Sequence, residues 1–349
     1  MKEIVLILPE NPSELLNKMI KSVVGDFPYS IIRDASALKD LHNKKILFAV
    51  ELNDIGVSNN LNDIFDNLYS IGNDSLLNSE GALLIKSKSN LFSKTFAQSI
   101  SFLSNNLGCS FVGRPLVEAT SNLDNFKTME KVYDMSLEDI CLKQCVNLGS
   151  RFLEETIKKK NPPKKLLVLH SSKKSISNTL SLWEMVKPGL EELEIREINV
   201  GIGDIEDCKG CPYTTCKYFG SQSKCFYGGI VVEEVYPAIS ECDSLLLISP
   251  NYNDMVTANL VASINRLTAL YRKTKFYDKQ LFSIIVSGYS GSDGIAKQLI
   301  SSLNMNKTFK LPPYFALMET ANDAGSIIDI PNIEKKAKAF AQNILNSHI

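Results

Sequence analysis

Long apolar runs are missing from this chain. No stretch approaches the roughly 18 residues that cross a bilayer, so no membrane-spanning helix is expected. Net charge is missing too: 38 basic against 39 acidic residues give −1, and no long basic run favours nucleic acid. Only three histidines occur, His42, His170 and His348, too scattered for a histidine-based triad. The start, "MKEIVLILPENPSELL", offers one lysine, a short apolar run and then proline, too little for a secretory signal. The chain is therefore expected to be cytoplasmic, with no membrane and no nucleic acid among its partners. Cysteine is sparse as well, eight in 349 residues, yet four fall inside "DCKGCPYTTCKYFGSQSKC" at 207–225. In a reducing compartment such clustering points to metal or redox chemistry rather than to a disulfide framework.

What is abundant is alternation. Short apolar runs ("EIVLIL", "KILFAVE", "GALLIKS", then "KLLVLH", "SLLLIS", "LFSIIVSG") are separated by amphipathic stretches such as "NTLSLWEMVKPGLEEL" and "VTANLVASINRLTALYR". This is the pattern of parallel α/β layers. A length of 349 residues exceeds what one core holds, about 250–300, so two domains are expected. The lysine-rich, proline-broken "KKKNPPKK" at 158–165 is the predicted linker, giving domains at 1–157 and 163–349.

The halves resemble each other. Asn53 and Asp54 precede Asn253 and Asp254 by 200 residues, and Thr120 and Asn122 stand in the same relation to Thr320 and Asn322. Nearer the front, "YSIIRD" lies over "LEIREI" with Arg33 about 163 before Arg196. The changed offset places an insertion, about 204–240, between the second and third strands of the later half, and it contains the cysteine stretch. Chance likeness of two α/β halves is the alternative to duplication.

Within the later half, "LHSSKKSISNT" crowds Ser171, Ser172, Ser177, Asn178 and Thr179, with Lys173 and Lys174, into a strand-to-helix turn. Free amides, a helix dipole and added hydroxyls suit a phosphate, although ordinary N-capping needs one such residue. The matching "LPENPSELL" carries a glutamate and two prolines and would repel one. After the third strand, "SPNYNDM" brings Pro250 and Tyr252 to a strand's carboxyl end, where open α/β sheets bind ligands. Tyr252 there either stacks on a flat ring or packs its own loop. The loop "SGYSGS" after the fourth strand allows close backbone approach.

On these motifs, residues 165–347 resemble the flavodoxin-like NADPH-dependent FMN reductases, and especially the iron-sulfur flavoproteins among them. The resemblance adds the later Arg266 to the "SPNY" loop. It implies two flavodoxin-like, doubly wound, parallel five-stranded sheets in tandem. It implies FMN with its phosphate at Ser171, Ser172, Lys173, Ser177, Asn178 and Thr179. The ring would lie between Pro250, Asn251, Tyr252, Asn253, Asp254 and Met255 on one side and Ser287, Gly288, Tyr289 and Gly291 on the other. "HSSKK" departs from the glycine and arginine usual in the family's turn. Cys208, Cys211, Cys216 and Cys225 are spaced C-x2-C-x4-C-x8-C, wider than the family's compact cluster. They suit a [4Fe-4S] cluster, tetrahedral zinc or free thiols.

The expected function is electron transfer from NAD(P)H or a reduced carrier, through FMN and a [4Fe-4S] cluster, to a small-molecule or redox-protein acceptor. Alternatives are a zinc-stapled reductase and a non-catalytic redox or metal sensor. The first half, lacking the serine turn and the cysteine insertion, would serve as an intrachain pseudo-dimer partner in place of, or beside, a homo-oligomer. Cys109, Cys141, Cys145 and Cys242 are expected to be buried, and "GIGDIE" at 201–206 to be a loop.

Overall fold

The computed structural model describes residues 2–154, 164–172, 177–202 and 205–347. Most of the predicted linker (158–163), Lys173, Lys174 and part of "GIGDIE" lie outside these residues. The chain divides into two compact units, 1–157 and 158–349.

The first unit is built from β1 (Ile4–Ile7), α1 (Glu14–Val24), β2 (Tyr29–Ile32), β3 (Lys45–Glu51), α2 (Asn59–Ile71), β4 (Glu80–Lys86), α3 (Ser93–Asn106), β5 (Ser110–Ala119), α4 (Lys127–Tyr133) and α5 (Leu137–Leu153). Its sheet runs β2-β1-β3-β4-β5, every pair parallel. The central strands are apolar along their whole length because helices cover both faces, and β3 is buried from Lys45 to Val50. Helix α1 starts at the Ser13 cap and turns Leu16, Met19, Ile20, Val23 and Val24 inward. Against it lies α5, whose Cys141 and Cys145 are fully buried in the same core. Burying each such aliphatic side chain contributes about 1.5–3 kcal/mol. Gly149 permits the close approach: a β-carbon there would stand 2.3 Å from the Val23 carbonyl oxygen.

The second unit comprises β6 (Lys165–His170), α6 (Asn178–Val186), β7 (Glu194–Asn199), α7 (Tyr213–Ser221), α8 (Tyr236–Glu241), β8 (Ser244–Pro250), α9 (Ala258–Lys273), β9 (Gln280–Ser287), α10 (Ser292–Leu299), β10 (Ala316–Thr320) and α11 (Ile333–Asn346). Its sheet runs β10-β9-β8-β6-β7, also wholly parallel. Counted from its own first strand, each sheet has the order 2-1-3-4-5, the flavodoxin-like doubly wound arrangement. One core of the second unit gathers Leu166, Val168, Trp183, Phe282 and Phe340.

Strand register refines the internal repeat. Ile4 faces Lys45 and Leu167 faces Leu245, which reproduces the offsets of 163 and 200. The second strands differ from expectation: Ile4 faces Tyr29 and Leu167 faces Arg196, so Tyr29 rather than Arg33 is the counterpart of Arg196. A slide of four residues preserves which side chains point to which face, so the alternation could not separate the two alignments. The connection from β7 to β8 spans 200–243 where that from β2 to β3 spans 33–44. The extra length holds all four clustered cysteines.

Candidate functional site

Strands β6, β8 and β9 are neighbours, and their carboxyl ends open into the three loops expected to bind FMN. The sheet changes direction between β6 and β8, the switch point at which open α/β sheets bind ligands. The hydroxyls of Ser171 and Thr257 are 2.6 Å apart and tie the first loop to the second. Ser172 is 6% exposed, and its hydroxyl has no hydrogen-bond partner among the described residues. A buried hydroxyl left unsatisfied is costly, so an acceptor belonging to a ligand suits it. Ser177 caps α6, accepting from the Leu180 amide at 3.3 Å, and its hydroxyl lies 2.8 Å from that of Thr179. Asn178 behaves differently. Its side-chain amide donates to the Ala321 and Asp323 carbonyls, and its Oδ1 accepts from the Gly325 amide. It therefore fastens the loop after β10 and has little left for a phosphate.

The second loop leaves β8 at Pro250. Asn251 reaches the Asp254 carboxylate, the Ser287 hydroxyl and the Ser290 carbonyl with one nitrogen, at 3.0, 3.1 and 2.8 Å, and so locks the second loop to the third. Asn253 and Asp254 both adopt left-handed backbone, and an isolated antiparallel bridge pairs Tyr252 with Met255. Tyr252 and Met255 are left exposed. Across the edge, Tyr289 is exposed too. Beside it Gly291 has φ +90°, and a β-carbon there would stand 2.0 Å from Asp254 Oδ1. Gly288 is open enough for a ligand to approach its backbone, its nearest obstacle being Asn322 Oδ1 at 3.0 Å from a built β-carbon.

The cysteine insertion forms a second feature. Cys208, Cys211, Cys216 and Cys225 line one cavity of about 200 Å³, with Arg266 and Arg272 in its wall. Cys216 lies on α7 and the others on loops; Cys208 is exposed, the rest half-buried. Among the described residues no three cysteine, histidine or acidic side chains converge as ligands of one metal ion. Asp207 anchors the loop, its carboxylate accepting from the Cys208 amide at 2.6 Å and from Asn265 Nδ2 at 3.0 Å. Arg272 Nε stands 3.3 Å from Cys216 Sγ, with the guanidinium over the Tyr213 ring. Arg266, which the resemblance grouped with the flavin loop, lines the cysteine cavity instead. Sequence reasoning missed Arg272 altogether; the signal was polar spacing along α9, where Asn265, Thr268 and Arg272 share one helical face.

The remaining cysteines are inert by comparison. Burial pushes the Cys109 thiol well up and that of Cys242 up to about 12.

The corresponding edge of the first unit is occupied by acids. Glu51 ends β3 and accepts from the Ser13 amide at 2.8 Å, so a carboxylate of the chain itself meets the start of α1. Glu10 hydrogen-bonds the Ser58 hydroxyl, and burial pushes its carboxyl above the usual range, with nearby Glu51 adding a smaller effect in the same direction.

No curated protein matches the chain. In structure the chain is similar to RosB with its bound intermediate 8-demethyl-8-formylriboflavin-5'-phosphate, at 17% identity over 53% of this chain and 79% of that one, with a TM-score of 0.42. It is similar too to the NAD(P)H:quinone oxidoreductase of Methanothermobacter marburgensis, at 16% identity over 53% and 98%, with a TM-score of 0.41. Residues 164–323 match the model of the NADPH-dependent FMN reductases. Over that span, just under half of the chain, the second unit matches this family of flavin-dependent oxidoreductases.

Proposed function

We propose that this chain takes electrons from NAD(P)H and passes them, through FMN in the second unit and a [4Fe-4S] cluster held by Cys208, Cys211, Cys216 and Cys225, to a small-molecule or protein acceptor. One observation carries the reading: a single helix serves both places. Helix α9 begins just after the Asn251–Met255 loop and ends in the wall of the cysteine cavity. At 1.5 Å rise per residue, Asn265 in that wall lies about 12 Å along the axis from Thr257. The residues also fit such a centre chemically, with four thiols for ligands and two guanidiniums to offset their charge. Zinc would take the same donors without giving the proximity a use.

In this reading the Ser172 and Ser177 hydroxyls and the first amides of α6 hold the phosphate. Tyr252 and Tyr289 flank the ring, and the Asn251 network keeps the two loops at a fixed separation. When bound, FMN supplies hydride acceptance and the release of electrons singly or in pairs. The first unit, 1–157, is read as carrying no flavin, because Glu51 already occupies the start of α1.

Addition of NADPH to the anaerobically purified full chain should bleach its flavin absorbance, and a quinone or azo compound should restore it. Flavin that stays oxidised under excess NADPH and NADH would show the donor to be a reduced carrier instead.

A further inference from the structure

We infer that Arg266 and Arg272 form a cationic wall that compensates the charge of the centre held by the four clustered cysteines and so raises its reduction potential. The inference rests on reading the insertion as an iron-sulfur site.

Arg266 is 3% exposed. A buried guanidinium is costly unless something anionic answers it. What it meets is a pair of carbonyls, Glu206 O at 3.3 Å and Gly228 O at 2.6 Å, with no carboxylate at ion-pair distance among the described residues. Its Nε has no hydrogen-bond partner among the described residues, and the residue lines the cysteine cavity. A permanent charge with an unspent donor is thus buried beside four thiols, where negative charge gathers once they are deprotonated as ligands. Arg272 adds the second charge from two turns farther along α9, its Nε 3.3 Å from Cys216 Sγ. Tyr213, 4.7 Å from the guanidinium, helps fix its direction. Arg266 also shapes the protein, since it bonds the carbonyls of Glu206 and Gly228 on either side of the cysteine stretch.

Positive charge and N–H···S bonds favour the reduced, more negative form of a thiolate-held cluster, so removing either should lower the potential. The test uses the full chain purified anaerobically with its iron, and reads the midpoint by redox titration monitored by electron paramagnetic resonance. Arg272→Gln should shift the midpoint downward and Arg272→Lys less so. Arg266→Lys, which keeps the charge and loses Nε, should also shift it downward. Lys273→Gln, which removes the neighbouring exposed cation of the same helix, should leave it in place. Iron-replete Arg272→Gln and Arg266→Lys proteins with the wild-type midpoint would overturn the inference and leave the cluster standing. Wild-type protein that carries no iron would overturn the cluster reading and the inference with it.

Discussion

Ser172 shows how much one side chain can say. Its hydroxyl is buried, without a partner among the described residues, at the turn proposed to hold the flavin phosphate. If it donates to phosphate, Ser172→Ala should remove a charge-assisted bond of about 1.5–3 kcal/mol and weaken FMN binding roughly tenfold to a hundredfold, measured by fluorescence titration of the apoprotein. Unchanged affinity would take Ser172 out of the site. Its neighbour Asn178 illustrates the limit of reading types from sequence. An asparagine in a serine-rich turn looks like a ligand residue, but the amide is committed to Ala321, Asp323 and Gly325, about 145 positions away, and no local pattern reveals that. Arg266 is the converse case. Its position on α9 was legible, whereas the pocket it faces depends on how a long insertion folds back.

At the scale of elements, the strands were the most legible part, because a central parallel strand must be apolar along its length and "KILFAVE" and "KLLVLH" coincide with β3 and β6. Close approaches between helices were not, since they turn on single glycines. Gly220 of α7 meets α9: a β-carbon there would stand 2.7 Å from the Ala269 carbonyl oxygen and 3.0 Å from Arg272 Cδ. Gly220→Ala should push α7, and Cys216 with it, away from α9 at a cost of about 1–3 kcal/mol. The expected outcome is less iron retained per FMN; a full complement of iron would show that α7 does not position a ligand. The edge around α1 and β3 makes a separate prediction. Glu10 has its folded-state pKa raised mainly by burial, and Oε2 lacks a partner among the described residues. A carboxyl raised in this way favours folding while protonated. Its contribution is fully present below the unfolded value of about 4.3 and is lost as pH rises through the folded value. Glu10→Gln should therefore increase hydrogen-exchange protection across residues 2–154 at pH 7, and the difference from wild type should close toward pH 4. A difference independent of pH would assign the effect to packing instead.

For the whole molecule, the two sheets share one strand order while their ligand-facing edges have diverged. The second presents a buried hydroxyl with no partner among the described residues and two glycines at which a side chain would not fit without displacement; the first presents Glu10 and Glu51. Composition and alternation were enough to foresee the paired α/β architecture, and the acidic "LPENPSELL" foreshadowed the first edge. The insertion was legible as a cysteine spacing and nothing more, because the cavity that the four thiols line depends on chain segments brought together by α7 and α9. The central claim is that flavin chemistry belongs to the second unit alone. It is tested most directly by counting cofactor: FMN released from anaerobically purified, full-length protein, quantified against chain concentration. The account predicts one FMN per chain, lowered in occupancy by Ser172→Ala and unaffected by Glu51→Gln. A chain that holds no flavin, or one that holds two, would contradict it.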